Sequence, residues 1–228
     1  MTEPANSAHN PSDTVQGSQQ VSVTAKEGEL SGKRLLAAFW KDDELNDITF
    51  KSNDGVLVKA NRFVFAAKSD VFRRMLLGQF SESKSPVINL DYEGTVAEAL
   101  VEYVYTDSAE VLRVSQKRQR EEDTEQEHHS TRQIQLLVSL MECGNFYNLL
   151  TLCEKALECV AKILKEYPKL SFVLLQSCFQ RQGLPKELKL MAEKGVRKDI
   201  AGATIGTKDV ACLSPSVLEA ILKIGNYE

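Results

Sequence analysis

The chain has 228 residues, of which 43% are hydrophobic and 26% are charged, so it can form one large domain or two small ones with buried cores. Its net charge of −4 excludes the strong global positive field that drives non-specific binding to nucleic acids. No apolar run approaches the roughly 20 residues needed to cross a bilayer, and no secretory signal opens the chain. We therefore expect a protein of the cytoplasm, the nucleus or both, without nucleic acid or membrane among its partners.

The titratable residues do not form a recognisable catalytic or metal site. The histidines, His9, His128 and His129, all lie in polar segments, which removes His-dependent nucleophiles and the usual zinc sites from the predicted cores. The five cysteines include no C-x-x-C pair and are predicted to be reduced, buried residues. Residues 202–208 have the wrong spacing for a phosphate loop. We predict a non-enzymatic interaction module with no catalytic residue, cofactor or metal.

The N-terminal region is predicted to be a disordered tail followed by a short apolar helix. Residues 1–28 contain too few apolar side chains to offset the entropy of ordering. A helix over residues 31–41, with Ser31 as its N-cap, carries apolar side chains at helical spacing. Such a helix packs either on its own domain or on another chain. The apolar side chains are Leu35, Leu36, Phe39 and Trp40.

The clearest local signal is a β-hairpin over residues 47–60. Alternating apolar residues flank Asn53-Asp54-Gly55, a sequence that tolerates the positive φ of a tight turn. Two short helices are predicted next. The first covers residues 63–67, and the second begins after an N-cap at Ser69 and ends at Gly78.

Further elements follow before a strongly charged segment. A short strand is predicted over residues 87–90, and Thr95 with Glu98 forms a capping box for a helix that ends at Tyr105. Residues 113–132 mix basic and acidic side chains and are predicted to be a solvated insertion.

The second half of the sequence is predicted to be entirely helical. Helical periodicity resumes at Ile134 and is interrupted by a predicted break at Gly144-Asn145. Three further apolar stretches and a final helix at Leu213-Ser214-Pro215 follow. The sequence therefore indicates an α+β first half and an all-α second half.

Several blocks between residues 45 and 106 together resemble the BTB/POZ domain family. They read LNDITF, VKANRFVFAAKSDVFRRM, GQFSES, VINL and ALVEYVYT. Residues 149–157 resemble the closing helix of that domain, and the LSPSVL sequence near residue 215 resembles a BACK-like extension. The resemblance implies a small β-sheet flanked by a cluster of helices, with an all-α extension.

The domain organisation implied by this resemblance has three parts. They are a tail at 1–28, a BTB/POZ domain at 29–157 with an insertion at 113–132, and a BACK-like region at 158–228. One departure is Asn61, which stands where the family usually has histidine.

The resemblance also implies a homodimer whose leading helix packs across the dimer axis. Leu35, Leu36 and Phe39 occupy that helix, and the alternative is that it packs only on its own domain. Asp47 and Arg62 match a charged pair near the dimer-side pocket of the family. That pair either shapes a peptide groove or is a structural ion pair.

Finally, the resemblance implies a surface for a cullin. Phe80-Ser81-Glu82 matches the hydrophobic-x-Glu motif with which many members bind cullin scaffolds, and Tyr105 matches a tyrosine of that surface. The alternatives are that Phe80 folds onto the core and that Tyr105 packs at a helix end. The implied function is a substrate adaptor of a cullin-RING ubiquitin ligase with an unidentified substrate. The alternative is a non-ligase scaffold for transcriptional or signalling partners.

Overall fold

A computed structural model of the protein describes residue 32 and residues 35–40, 42–113, 123–201 and 214–225. Several sequence predictions lie wholly or partly outside these described residues. They include the disordered tail at 1–28, the Ser31 N-cap, and the loop at 202–208.

The described chain forms three strands and nine helices, in the order expected of an α+β domain followed by helices. The strands are β1 (Ile48–Lys51), β2 (Leu57–Ala60) and β3 (Val87–Asn89). The helices are α1 (35–40), α2 (Arg62–Lys68), α3 (Asp70–Leu77), α4 (Gly94–Thr106), α5 (Asp123–Phe146), α6 (Leu150–Glu166), α7 (Ser171–Gln180), α8 (Lys186–Ala201) and α9 (Pro215–Gly225). Short 3₁₀ helices cover Asp43–Leu45, Ser81–Ser83, Glu110–Leu112 and Pro168–Leu170.

The sheet has the strand order β2-β1-β3. The predicted hairpin is confirmed, because β1 and β2 pair antiparallel around a turn in which Gly55 has a φ of 89°. Strand β3 pairs parallel to β1 after the chain has passed through α2 and α3. Phe50 of β1 contacts Phe65 and Phe72 with ring centroids 4.7 and 5.9 Å apart, so the sheet and these two helices share one apolar core.

Helix starts follow the predicted caps in one case and not in another. Ser69 caps α3 as predicted, since its hydroxyl accepts hydrogen bonds from two backbone N–H groups of the first turn. The predicted capping box at Thr95 and Glu98 is wrong. Helix α4 begins earlier, at Gly94, and has no side-chain cap. A Cβ at Gly94 would lie 2.5 Å from a methyl carbon of Val56, so close packing against the hairpin determines this helix start.

Two apolar cores meet along α5. Leu140 and Cys143 belong to the core of the sheet and α2–α4, whereas Leu137 belongs to the core of α5–α9. The predicted break at Gly144-Asn145 is wrong, because α5 continues to Phe146. Gly144 instead permits close packing, since a Cβ there would lie 3.0 Å from the Cys153 sulfur of α6.

The predicted domain boundary between residues 157 and 158 falls inside α6. That helix supplies Leu152 to the first core and several residues to the second, among them Ala156 and Val160. The helical extension therefore shares α5 and α6 with the α+β domain.

The predicted insertion at 113–132 is wrong for its second half, because α5 already begins at Asp123. Ser130 is buried, which a fully solvated segment would not allow. The neighbouring Gln133 side chain donates hydrogen bonds of 2.8 Å to the carbonyls of Val111 and Arg113. Only 114–122 remains as a candidate insertion, and it lies outside the described residues.

Four free cysteines lie in or beside the two apolar cores, and the prediction that they are reduced and largely buried is confirmed for them. Cys143, Cys153 and Cys159 are buried and Cys178 is half-buried, while Cys212 lies outside the described residues. Burial raises the pKa of the Cys143 thiol far above its ordinary value. Burial also raises the pKa of Cys153, Cys159 and Cys178 to about 11. These thiols are therefore protonated at neutral pH.

We predict that residues 114–122 can be replaced by a Gly-Ser segment of equal length with a change in Tm of no more than about 2 °C, since the solvated insertion that the sequence predicts would contribute little to stability. The same replacement of residues 124–132 should lower Tm by about 5 °C or more, because glycine costs roughly 1 kcal/mol per helical position. Thermal unfolding followed by circular dichroism compares the two variants. An equal loss of Tm in the two variants would show that α5 does not begin at Asp123.

Candidate functional site

The loop between α3 and β3 presents one aromatic side chain to solvent. Phe80 immediately precedes the short helix Ser81–Ser83, and its carbonyl accepts hydrogen bonds from the Ser83 N–H and hydroxyl at 3.1 and 2.7 Å. Its side chain is 59% exposed. The structure therefore does not fold Phe80 onto the core, and the backbone that carries it is fixed locally.

Arg62 fixes the backbone of this loop through hydrogen bonds. Its Nη1 donates to the carbonyls of Leu76, Glu82 and Ser83 at 2.8, 3.1 and 3.0 Å, and its Nη2 donates to the Ser85 carbonyl at 2.9 Å. The Arg62 side chain is only 13% exposed. One guanidinium therefore holds the end of α3, the loop and the approach to β3 in a single arrangement.

Asp47 positions Arg62. One carboxylate oxygen accepts the Arg62 backbone N–H at 2.7 Å, and the other lies 3.6 Å from Arg62 Nε. The Nη1 and Nη2 atoms of Arg62 bind backbone carbonyls. The contacts between Asp47 and Arg62 are therefore those expected of a structural ion pair. A contact between this pair and a peptide stays a prediction.

Tyr105 does not lie on the surface. Its side chain is 1% exposed, and its hydroxyl accepts the Asn61 N–H at 2.7 Å and donates to Asn46 Oδ1 at 3.4 Å. Burial raises the pKa of this hydroxyl. Tyr105 therefore packs at the end of α4, which is the alternative that the sequence left open, and its contribution to a cullin surface stays a prediction.

Asn61, which replaces the histidine usual in the family, is a helix cap. Its side-chain oxygen accepts the N–H groups of Phe63 and Val64 at 3.0 and 3.3 Å. Its amide donates to the Leu45 carbonyl at 2.7 Å. The substitution thus retains a polar group that joins the start of α2 to the segment before β1.

The end of α5 adds aromatic residues that the sequence analysis missed. Tyr147 stacks on Phe72 of α3 with ring centroids 4.1 Å apart, and Phe146 meets Tyr147 edge-on at 4.9 Å. Phe146 is 67% exposed. Burial is the main cause of the raised pKa of the Tyr147 hydroxyl. The stacked pair therefore joins the residue that follows α5 to α3, the helix that leads into the Phe80 loop.

The carboxyl group of Glu82, in the loop that carries Phe80, is ionised at neutral pH. Its own backbone N–H and then the Ser81 hydroxyl hold the pKa of its carboxyl below the usual value, and the Ser81 contact measures 2.9 Å. An exposed aromatic ring and an oriented carboxylate are suited to docking on an apolar pocket with a donor at its rim.

The leading helix divides its apolar residues between two environments. Phe39 and Trp40 pack against the first core, and the Trp40 ring stacks near Tyr105 at 6.4 Å. Leu35 and Leu36 are 60% and 36% exposed. Of the three residues predicted for the dimer interface, Phe39 therefore also packs on its own domain.

These features coincide with a match to a protein-family model. The model of the BTB/POZ domain matches residues 36–158, which include the sheet, the Phe80 loop and the first half of α6. This chain belongs to the BTB/POZ family. The predicted α+β fold with a helical extension is confirmed, and the family is one of protein-interaction modules.

Relatives of this chain match only over part of the domain. Mouse Kelch-like protein 8 is 35% identical over 72 residues, which are 31% of this chain and 11% of that protein. The mouse and human proteins named inhibitor of Bruton tyrosine kinase are each 28% identical over 99 residues, 43% of this chain and 7% of theirs. The chain thus matches about a tenth or less of the length of these relatives.

Two further properties of the described residues bear on other classes of site. None of the helices in the described part of the chain is long and apolar enough to cross a membrane. Within the same residues, no group of three or more His, Cys, Asp or Glu side chains is arranged to hold a metal ion.

We predict that Arg62→Met lowers the free energy of unfolding by about 3 kcal/mol, because it leaves four partly buried carbonyls without their donor. Arg74→Met on α3 is the matched control, since Arg74 is exposed, and its effect should stay within about 0.5 kcal/mol. Urea unfolding measures both variants. A loss below about 1 kcal/mol for Arg62→Met would contradict the role given to this guanidinium.

Proposed function

We propose that the chain is a dimeric substrate adaptor of a cullin-RING ubiquitin ligase, in which Phe80 and Glu82 bind the cullin. The observation that carries the proposal is the exposed Phe80 side chain on a loop that Arg62 fixes in place. The family and the hydrophobic-x-Glu motif support it. The proposal implies a location in the cytoplasm, the nucleus or both.

The geometry favours binding because the loop is already ordered. A partner would not bear the entropic cost of fixing this backbone, so more of the contact energy appears as affinity. An aromatic anchor that enters a pocket typically contributes more than its polar neighbours. The Glu82 carboxylate would then select the orientation of the partner.

Dimerisation is the second part of the proposal. Leu35 and Leu36 leave apolar surface open on α1, while Phe39 and Trp40 attach the helix to the first core. A helix that is fixed on one side and apolar on the other is suited to pack against its equivalent in a second copy.

The alternative is a non-ligase scaffold. It is favoured by the name of one set of relatives, inhibitor of Bruton tyrosine kinase, which describes inhibition of a kinase and not ubiquitination. Such a scaffold would retain the dimer and the core but would not bind a cullin. Direct measurement of cullin binding therefore separates the two functions.

We predict that Phe80→Ala weakens binding to a cullin N-terminal domain about thirtyfold, since truncated anchors typically cost about 2 kcal/mol. Phe63→Ala is the matched control, because Phe63 is a similarly exposed phenylalanine, and it should leave the affinity unchanged. Isothermal titration calorimetry measures both, beside a melting curve for each variant.

Two outcomes would contradict this prediction. The absence of binding by the folded wild-type protein would exclude the adaptor function and leave the scaffold. Equal weakening by both substitutions would mean that Phe80 is not the anchor.

We predict that the wild-type protein sediments as a dimer at micromolar concentration and that the double change Leu35→Asp and Leu36→Asp makes it a folded monomer. Charged side chains at these positions would be desolvated in the interface, whereas their exposure leaves the monomer core intact. The control is Leu190→Asp with Leu222→Asp, two similarly exposed leucines of the extension. Analytical ultracentrifugation measures both, and a monomeric wild type would overturn the claim.

A further inference from the structure

A groove runs along α5, and it shares no residue with the surface around Phe80. Two adjoining cavities of about 420 and 400 Å³ form it, and both are lined by Thr95, Arg132 and Leu136. Helix α4 forms one wall between Thr95 and Glu102, and the end of α7 forms part of the other. Each volume falls in the range of natural ligand pockets.

The groove combines an apolar base with hydrogen-bonding groups. Ala99 is buried, and Val111 and Leu136 are half-buried beneath the opening. The side chains of Gln135 and Gln180 line it and are exposed. Side-chain amides can donate to and accept from a peptide backbone, so the groove can bind a main chain independently of its sequence.

Acidic side chains line the α4 wall. Glu93, Glu98 and Glu102 belong to this wall, and Glu110 extends it. The Glu102 carboxylate accepts the Glu110 N–H at 2.9 Å, which orients one of the four.

The basic side chains of the groove do not balance this wall. They are Arg113, Arg132 and Arg181, and the imidazole of His129 also lines the groove. Arg181 is already paired with Glu142 at 2.8 Å, and Glu142 is not among the lining residues. Four carboxylates therefore stand against two remaining guanidinium groups, and the groove attracts positive charge.

The spacing of the carboxylates matches an extended chain. Glu98 and Glu102 are four residues apart on a helix, a rise of about 6 Å. Alternate side chains of an extended peptide point to the same side about 6.6 Å apart. Two basic residues at alternate positions can therefore meet these two carboxylates at once. The stretch of α5 from His129 to Ser139 would accommodate roughly five extended residues, at 1.5 Å per helical and 3.3 Å per extended residue.

We propose that this groove binds an extended segment of a partner protein that carries lysine or arginine at alternate positions. The basic side chains face Glu98 and Glu102, and the intervening residues lie over Leu136. Arg132 and the two glutamine amides donate to the backbone carbonyls. This inference rests on the chain being a protein-interaction module and not on its binding a cullin.

The test uses the full chain and a fluorescently labelled peptide of sequence Lys-Ala-Lys-Ala-Lys-Ala, with Glu-Ala-Glu-Ala-Glu-Ala as its charge-reversed control. We expect saturable binding of the lysine peptide by fluorescence anisotropy, weakened by salt, and no binding of the control. The pair Glu98→Gln with Glu102→Gln should weaken binding by about five- to twentyfold, since each exposed ion pair contributes roughly two- to fivefold.

The matched control is Glu158→Gln with Glu166→Gln, which changes two exposed carboxylates of α6 outside the groove. It removes the same net charge and should leave the affinity unchanged. Equal weakening by both pairs, or equal binding of both peptides, would overturn the proposal. Binding seen only after residues 114–122 are replaced by Gly-Ser would also overturn it, because the occupant would then be the chain itself. Cullin titration of the Glu98→Gln, Glu102→Gln variant should be unchanged, so the two proposals fail separately.

Discussion

The guanidinium of Arg62 is the group on which the arrangement of the interaction surface depends. It occupies a site with little solvent and binds four backbone carbonyls contributed by α3, the following loop and the residue before Pro86. A buried charge is tolerated only where such acceptors compensate it. The compensation runs in both directions, because the guanidinium supplies hydrogen-bond donors to partly buried backbone carbonyls. The exposure of Phe80 is thus a property of a fixed backbone.

A second constraint is that α5 belongs to both cores. Leu140 on one side and Leu137 on the other bury completely against different sets of helices. Since both cores require this helix, they are expected to unfold as one cooperative unit. The same helix carries Phe146 at its end and lines the groove near its beginning. A single helix therefore connects the groove with the aromatic residues that pack on α3.

The sequence was sufficient where local chemistry decides the structure. The turn at Gly55 and the Ser69 cap involve residues only a few positions apart, and both were predicted. Gly94 and Gly144 were misjudged because their reasons are contacts across the fold, with Val56 and Cys153.

The predictions for the candidate site also divide into those set by local sequence and those set by contacts across the fold. The motif and the turn signals predicted an exposed Phe80. For Tyr105 the sequence left two environments open, because neither the motif nor periodicity predicts a hydrogen bond to Asn61 across 44 positions. Phe146 was missed because the predicted break ended α5 just before it.

The buried thiols give the molecule an internal reporter. Cys153 lies where α5 and α6 pack, and its thiol donates to the Met141 carbonyl of α5 at 3.4 Å. Cys143 belongs to the core of the sheet and α2–α4. A protonated, enclosed thiol does not react with alkylating reagents. Alkylation of Cys153 therefore requires α5 and α6 to separate, whereas alkylation of Cys143 requires the first core to open, and each rate follows the population of its opened state when closing is fast. The two openings can thus be followed separately in the unmodified protein through the mass added to each cysteine.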